Sequence, residues 1–316
     1  MIRFDAGPTI GLGHATRALA LADELERRTG WRPIVVARRE ALLEPLLRRA
    51  GVERVVPREA GYALRDVLAV AEPGAVVISD TYDLDAKAMN GIAEAGLRHL
   101  VVDDFATLAR WPCDVVVNPN AGTEALDYPG AKVVLRGPRY ALLRREVIAA
   151  AEDASGDRVG VLVCLGGGAW PPPATALLSA LADLAETTEV RVTTEQPLQA
   201  PLVAVPPDSL PRELARSAVG VLSGGVIKYE AAACGLASVL VAVVDHQETI
   251  SAAFARYGSA TYAGRLGQID PAAVVVEVAR LLRDVPALDA MAAAGRSIVD
   301  GKGAQRAVAR LLTAAS

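Results

Sequence analysis

The chain has 316 residues, of which 52% are hydrophobic but only 4% aromatic, and a net charge of −4. This length predicts two domains, with cores built from Ala, Val and Leu. The acidic balance excludes the basic surface that binds nucleic acid. No run approaches the roughly 18 apolar residues of a membrane span, and the N-terminus has no leader pattern, so we expect a cytoplasmic protein. The cysteines, Cys113, Cys164 and Cys234, show no metal-ligand spacing and are predicted to be buried thiols.

The first half of the chain alternates short apolar runs with helical patterns, which is typical of parallel βαβ units. After an apolar opening at Met1–Ala6, strands are predicted at Ile34–Ala37, Ala75–Ser79, His99–Asp103, Val115–Asn118 and Lys132–Leu135. Helices are predicted at Ala15–Arg28, Glu40–Ala50, Tyr62–Ala71 and Leu84–Ala95. The polar stretch Glu152–Arg158 reads as a linker, so the N-terminal domain is predicted to span 1–151.

The same alternation restarts in the second half, which is predicted to form a domain spanning 152–316. Strands are predicted at Val159–Leu165, Val190–Thr194, Leu202–Val205, Val219–Leu222 and Ser238–Val244. Helices are predicted from the proline run at Pro171–Pro173 to about Glu186, at Pro211–Ser217, at Ile227–Cys234, and after Gln247 to the end. The predicted fold class is therefore α/β, with two Rossmann-like domains facing across a cleft at the carboxyl ends of their strands.

The stretch Gly11-Leu12-Gly13-His14 lies between the first strand and the first helix. Backbone N–H groups at a helix N-terminus favour an anion, and glycines let a ligand approach the main chain. The spacing differs from the G-x-G-x-x-G pattern of dinucleotide-binding domains. From the residues alone, His14 is either a functional group at the mouth of the helix or only its cap.

Three further groups of polar residues and glycines follow predicted strands. They are Asp80-Thr81-Tyr82 with Asp103-Asp104, Gly166-Gly167-Gly168, and Ser223-Gly224-Gly225 with Lys228, Tyr229, Glu230 and Asp245-His246-Gln247. Structural alternatives remain open, because Asp80 and Asp104 could cap helices, glycine triplets could be plain loops, and Glu230 and His246 could be solvated. Apart from Asp103-Asp104 and Asp83-x-Asp85, no pair has a metal-ligand spacing, so we expect a metal-independent mechanism without a cofactor.

Taken together and in this order, these segments resemble nucleotide-sugar enzymes of the GT-B fold. More narrowly, they resemble the pseudaminic-acid pathway hydrolase, which removes UDP from a UDP-linked sugar, and its relatives in spore-coat polysaccharide synthesis. The segments that carry the resemblance are Phe4-Asp5-Ala6, Ile10–His14 with Arg17, Ser79–Tyr82, Val102–Asp104, Gly137–Leu143, Leu165–Gly168, Ser223–Gly225 with Lys228–Glu230, His246-Gln247 and Asp300–Gly303. The likeness covers nearly the whole chain, and its specificity comes from the shared order of the motifs.

The resemblance implies that the C-terminal half binds the nucleotide of a small-molecule nucleotide-sugar. Its nucleotide-binding residues would be Gly166, Gly167, Gly168, Ser223, Gly224, Gly225, Lys228, Tyr229, Glu230, His246 and Gln247. The N-terminal half would supply the catalytic residues His14, Tyr82 and Asp80, and would contact the sugar or acceptor through Gly11, Gly13, Arg17 and Asp104. Imidazole suits proton transfer at neutral pH, and main-chain N–H groups would stabilise the departing diphosphate.

The chain departs from the resemblance at several positions, so three functions remain open. Trp170 and the prolines follow the first glycine loop, His246 stands where many relatives have asparagine, and Thr81 stands where the hydrolase often has histidine or serine. Our first expectation is an inverting, metal-independent UDP-sugar hydrolase. The alternatives are a glycosyltransferase acting on a small acceptor and a nucleotide-sugar binding protein without turnover, which the retained His14 disfavours.

Overall fold

The computed structural model describes residues 1–7, 10–38, 40, 43–52, 55–56, 64–72, 74–154, 156–166, 170 and 172–314. The chain divides into two compact units, Met1–Arg144 with Gly301–Ser316, and Arg145–Asp300. This division differs from the predicted bounds 1–151 and 152–316, because the last helix returns to the first unit. The helix that begins at Arg145 packs on helices of the second unit, so the predicted linker at Glu152–Arg158 is not where the units divide.

The first unit is built on one parallel sheet of seven strands. Its strands are β1 (Ile2–Phe4), β2 (Val35–Val36), β3 (Val55–Val56), β4 (Val76–Asp80), β5 (Arg98–Val102), β6 (Val115–Asn118) and β7 (Val133–Arg136), in the order β3-β2-β1-β4-β5-β6-β7. Its helices are α1 (Gly13–Thr29), α2 (Glu44–Arg49), α3 (Leu64–Val70), α4 (Ala86–Glu94) and α12 (Gly303–Thr313). The order reverses between β1 and β4, which is the position where open α/β sheets bind ligands.

Helix α12 completes the core of this unit by packing on α1. Ala307, Val308 and Leu311 are fully buried in the same apolar cluster as Leu21 of α1. The helix can start there only because residue 303 is glycine, since a Cβ atom at Gly303 would lie 2.2 Å from the carbonyl oxygen of Ala141. The Asp300–Gly303 motif noted in the sequence therefore has a packing role in this structure.

The second unit is built on a parallel sheet of six strands. Its strands are β8 (Val161–Cys164), β9 (Val190–Thr193), β10 (Val203–Val205), β11 (Val219–Ser223), β12 (Ala237–Ala242) and β13 (Ala260–Arg265), in the order β10-β9-β8-β11-β12-β13. Its helices are α5 (Arg145–Glu152), α6 (Pro173–Leu184), α7 (Leu210–Arg216), α8 (Ile227–Cys234), α9 (His246–Ala255), α10 (Pro271–Arg283) and α11 (Val285–Ile298). Here the order reverses between β8 and β11, as it does in the first unit.

The predicted α/β class and the two Rossmann-like units are confirmed, but two strands were missed. Strand β13 occupies a stretch that was predicted to be helical, because Ala260–Arg265 is half-buried at the sheet edge and lacks the apolar run of a central strand. Strand β3 has only two residues. The predicted helices at Glu40–Ala50 and Tyr62–Ala71 are shorter, at Glu44–Arg49 and Leu64–Val70, and residues 41, 42, 62 and 63 lie outside the described part of the chain.

Within the described ranges, no helix is both long and apolar enough to cross a membrane. All three cysteines are buried free thiols, as the sequence predicted.

Candidate active site

The loop between β1 and α1 is closed on itself by its glycines. Gly7 and Gly11 exchange two backbone hydrogen bonds, of 3.3 Å and 2.7 Å. Gly11 has a φ of +78°, which L side chains rarely adopt. The helix then starts at Gly13, with Leu12 as its N-cap and no side-chain capping bond. The alternative that His14 merely caps the helix is therefore wrong.

The side chain of His14 instead pairs with the last residue of β4. Parallel pairing places Asp80 beside Phe4 of β1, so the carboxylate lies under the start of α1. The Nδ1 atom of His14 lies 2.5 Å from Oδ1 of Asp80, and both residues are buried. Because a carboxylate accepts, Nδ1 carries the shared proton and Nε2 is left as the proton acceptor. Nε2 has no hydrogen-bond partner among the described residues.

Arg17, one turn further along α1, fixes the position of that carboxylate. Its Nε donates to Oδ2 of Asp80 at 2.9 Å and its Nη2 donates to Oδ1 at 2.8 Å. The same guanidinium donates from Nη1 to Oδ1 of Asp104 at 2.8 Å. Such a fork holds a carboxylate in one plane, which a lysine cannot do.

Asp104, which follows β5, joins this arginine to two further elements. It accepts from Nδ2 of Asn120 at 2.7 Å and from the hydroxyl of Tyr82 at 3.2 Å. Burial alone would raise the pKa of Asp104, but the charge and hydrogen bonds of Arg17 outweigh burial and hold the pKa well below its usual range. Asp104 is therefore a carboxylate throughout the physiological range.

The four side chains His14, Arg17, Asp80 and Asp104 form one buried cluster, which is joined by the ion pairs of Arg17 with both aspartates and by the contact of His14 with Asp80. A histidine that a carboxylate orients in this way can act as a general base.

Tyr82 is the part of this site that reaches solvent. Its ring meets the His14 ring edge to face at a centroid distance of 4.5 Å, and Phe105 lies 5.6 Å from its other side. Tyr82 is 53% exposed, whereas His14 is only 5% exposed. A bound molecule that approached His14 would therefore contact the tyrosine ring.

Arg17 and Asp104, which were predicted to contact sugar or acceptor, are both buried and engaged with each other and with neighbouring protein groups. Their contact with sugar or acceptor stays a prediction. Neither Asp80 nor Asp104 caps a helix. Asp85 is the residue that caps α4, by accepting from the backbone N–H of Ala88.

Sequence reasoning missed the residues that follow β6. Asn120 supports Asp104, while Asn118 donates to the hydroxyl of Tyr128, which in turn donates to Asp103. The signal was present, because Asn118-Pro119-Asn120 follows a predicted strand just as Asp80 and Asp104 do. The strand-end pattern that predicts Asp80 and Asp104 therefore also predicts Asn118 and Asn120.

In the second unit, two of the predicted nucleotide-binding turns lie side by side. A Cβ atom at Gly166, after β8, would lie 3.9 Å from the hydroxyl oxygen of Ser223 at the end of β11. Gly166 has a φ of +107° and Ser223 is buried. Gly167 and Gly168 lie outside the described residues.

The turn at Gly224-Gly225 is packed against α9. A Cβ atom at Gly224 would lie 2.2 Å from Oγ of Ser251 and 2.9 Å from Cβ of Gln247, whereas one at Gly225 would meet nothing closer than 3.7 Å. Gln247 accepts from the backbone N–H of Val243 at 2.9 Å. The first glycine of this turn therefore has no room for a side chain, whereas a Cβ atom at the second would fit at ordinary van der Waals distance.

The remaining residues predicted to bind nucleotide differ in accessibility. Lys228 is buried and its Nζ donates to the carbonyl oxygens of Gly224 and Gly225, at 2.6 Å and 3.0 Å, so its ammonium steadies the turn from within. Tyr229 is buried against Phe254, and Glu230 is also buried. His246 is exposed at the start of α9.

Among the described residues, no group of three or more His, Cys, Asp and Glu side chains is arranged to hold a metal ion. Metal independence stays a prediction.

The fold of the two units is that of the GT-B proteins. The chain resembles a putative UDP-N-acetylglucosamine 2-epimerase from Listeria monocytogenes (15% identity, 98% of this chain and 94% of that chain, TM-score 0.65). It also resembles MurG of Acinetobacter baumannii (17% identity, 98% of both chains, TM-score 0.64). A third similar structure is the spinosyn forosaminyltransferase SpnP (16% identity, 100% of this chain and 99% of that chain, TM-score 0.65).

In sequence, the chain is similar to the spore coat polysaccharide biosynthesis protein SpsG of Bacillus subtilis. The two are 32% identical over 92 residues, which are 29% of this chain and 27% of that protein. No family model matches the chain.

Proposed function

We propose that this protein is a GT-B glycosyltransferase that takes the sugar of a UDP-sugar, attaches it to a small acceptor with inversion, and releases UDP. The observation that carries the proposal is the buried His14–Asp80 pair, held by Arg17 at the strand reversal of the first unit. The structural neighbours support it, since their names include a forosaminyltransferase and a UDP-N-acetylglucosamine 2-epimerase. A nucleotide-sugar substrate also agrees with the expected cytoplasmic location.

His14 acts as the general base in this reaction. Its Nε2 takes the proton of the acceptor hydroxyl, whose oxygen attacks the anomeric carbon of the sugar. The bond from that carbon to the β-phosphate oxygen breaks, and its electron pair leaves with UDP. Attack from the face opposite the leaving group inverts the anomeric configuration. Asp80 orients the imidazole and stabilises the imidazolium that forms.

The other residues of the first unit position these groups. Arg17 and Asp104 act as positioning residues, because their polar atoms are engaged within the protein. The half-exposed ring of Tyr82 contacts the reacting sugar or acceptor beside His14. The Gly11–Gly13 loop lets substrate approach the main chain at the start of α1.

The second unit binds the nucleotide in this proposal. Its turns at Gly166 and at Ser223–Gly225 offer backbone N–H groups to the diphosphate, and the start of α9 brings His246 and Gln247 close to it. Glu230 accepts from the ribose hydroxyls. Lys228 and Tyr229 support the turn from inside the unit, as their burial indicates.

Hydrolysis is the second candidate function, with water in place of the acceptor. The resemblance of Ile10–His14, Ser79–Tyr82 and Val102–Asp104 to the pseudaminic-acid pathway hydrolase favours it. His14 serves both reactions in the same way, because each nucleophile must lose a proton.

The test is release of UDP from a panel of UDP-sugars, with and without small alcohol and phenol acceptors, by the wild type and His14→Ala. Transfer that requires both acceptor and His14 supports the transferase. Release that requires His14 but no acceptor supports the hydrolase. UDP binding should survive in His14→Ala, since His14 belongs to the unit that does not hold the nucleotide. Turnover that persists in this variant would remove His14 from the mechanism.

A further inference from the structure

A cavity of about 150 Å³ lies beside the catalytic cluster, at the carboxyl ends of β4 and β5. Its apolar and aromatic walls include Tyr82, Leu84, Val101, Phe105 and Trp111, with Thr107 at its rim. A cavity of this volume is large enough for a ring the size of benzene. Tyr82 is shared with the active site, because the same ring contacts His14 at a centroid distance of 4.5 Å.

The polar side chains of Thr81 and Asp103, which line this cavity, are already engaged elsewhere. The hydroxyl of Thr81 donates to Asp5 and accepts from the backbone N–H of Asp83 at 3.0 Å. Asp103 accepts from the backbone N–H groups of Phe105 and Ala106, and from the hydroxyl of Tyr128. A sugar ring placed in the cavity would leave most of its hydroxyls without partners, which is costly.

The apolar surface around the cavity is open to solvent. Tyr82 is 53% exposed and Phe105 is 37% exposed, and Thr107 is exposed beside them. The Thr107 hydroxyl makes no hydrogen bond among the described residues, so it is the polar group available to a bound molecule. Aromatic walls with a small number of free polar groups are typical of sites for small apolar ligands.

We propose that this cavity is a subsite for an apolar portion of the molecule that reacts at His14. The inference rests on the proposed function and deepens it by naming the chemistry of one reactant. The apolar portion comes either from the body of the acceptor or from a substituent of the sugar. Both sources share the same requirement, which is a group of about ring size or smaller with no more than one hydrogen-bonding atom.

In the first experiment, phenol is titrated into the whole chain. Its binding is measured by calorimetry and by saturation-transfer NMR. Thr107→Trp closes the rim from an exposed position, and Phe105→Ala removes one wall. Phenol should bind the wild type saturably, and at least about tenfold more weakly in each variant. Thr187→Trp, at an exposed position of the second unit, is the matched control and should bind phenol like the wild type. Absence of saturable binding, or equal binding in Thr107→Trp, would overturn the subsite.

The second experiment distinguishes the two sources of the apolar group. If the group belongs to the acceptor, Thr107→Trp should reduce sugar transfer to phenol at least about tenfold more than it reduces acceptor-free UDP release. If it belongs to the sugar, the variant should reduce acceptor-free release from UDP-6-deoxyglucose, whose methyl group has no hydrogen-bonding atom, and spare UDP-glucose. A variant that changes neither reaction contradicts the proposal. A wild type that binds phenol but not UDP would overturn the proposed function alone, because the phenol titration measures the cavity directly.

Discussion

Arg17 holds Asp80 through two parallel hydrogen bonds, of 2.9 Å from Nε and 2.8 Å from Nη2, although 63 residues separate them in the chain. The same carboxylate receives the Nδ1 proton of His14. The orientation of the imidazole therefore depends on a buried arginine as well as on the carboxylate that it contacts. Both carboxylates bound by this guanidinium are buried, so they depend on it for their charge balance.

The first prediction separates the charge of Arg17 from its geometry. Arg17→Lys keeps a cation but cannot donate in parallel to both aspartates, so we expect kcat to fall about 100-fold through misplacement of His14. Arg17→Met leaves two buried carboxylates unpaired and should lower the free energy of unfolding by about 3–5 kcal/mol. Steady-state kinetics and urea denaturation measure the two effects. Arg27→Lys, on an exposed part of α1, is the control and should change neither.

The second prediction concerns Asn120, which touches neither His14 nor Asp80 but fixes Asp104. Asn120→Ala removes a 2.7 Å hydrogen bond from a buried carboxylate, which should lower the free energy of unfolding by roughly 1–3 kcal/mol. Because Asp104 also positions Arg17, kcat should fall about tenfold while KM for the UDP-sugar stays close to that of the wild type. Asn90→Ala, exposed on α4, is the control. A rise in KM with unchanged kcat would show that Asn120 contacts substrate instead.

The sequence was sufficient to find His14, Asp80, Asp104 and Tyr82 because parallel strands end at one edge of a sheet. It was not sufficient to assign the role of Arg17. That role depends on β1, β4 and β5 being neighbours in the sheet, which brings Asp80 and Asp104, 63 and 87 residues away, to one guanidinium. Helical spacing alone placed Arg17 only near the glycine turn.

Prediction of the fold from the sequence is also limited where an element depends on its tertiary neighbours. Central strands such as β8 and β11 are mostly apolar runs, and their ends were predicted to within two residues. Strand β13 has one face half-exposed and an alanine-rich sequence, so its local pattern does not separate it from a helix. The return of α12 to the first unit is set by tertiary packing on α1, which no local pattern reports.

The third prediction is a pH dependence of stability that comes from His99, a buried residue of β5. Burial lowers its pKa to about 3, while nearby Asp114 raises it more weakly. The unfolded chain binds a proton near pH 6.5 and the folded chain does not, so stability falls as the pH drops below 6.5 and continues to fall until about pH 3. Between pH 7 and pH 4 we expect a loss of about 3 kcal/mol from this residue alone.

His99→Gln should remove that part of the loss, as measured by urea denaturation at a series of pH values. His246→Gln is the matched control, because it makes the same change at an exposed histidine in the other unit. The assignment fails if the pH dependence of the unfolding free energy is the same in His99→Gln and in the wild type.

The last prediction tests the turn at Gly224-Gly225 as part of the nucleotide site. Gly224→Ala would place a Cβ atom 2.2 Å from Oγ of Ser251 and 2.9 Å from Cβ of Gln247, so the turn must move away from α9. Gly225→Ala would meet nothing closer than 3.7 Å and should leave the turn in place. If the backbone N–H groups here bind the diphosphate, Gly224→Ala should weaken UDP binding by roughly 1.5–3 kcal/mol, the value of hydrogen bonds to a charged group.

Gly224→Ala combined with Ser251→Gly should recover part of the affinity, because the closest clash is then relieved while the contact with Gln247 remains. Calorimetric titration of UDP into the four proteins, with thermal unfolding of each, separates loss of the site from loss of the fold. If Gly224→Ala is folded and binds UDP as tightly as Gly225→Ala, the diphosphate does not lie at this turn. Recovery of UDP affinity in the double variant would show that the affinity depends on the position of the turn. Removal of the Ser251 side chain adds no contact to the nucleotide, so it could not raise the affinity directly.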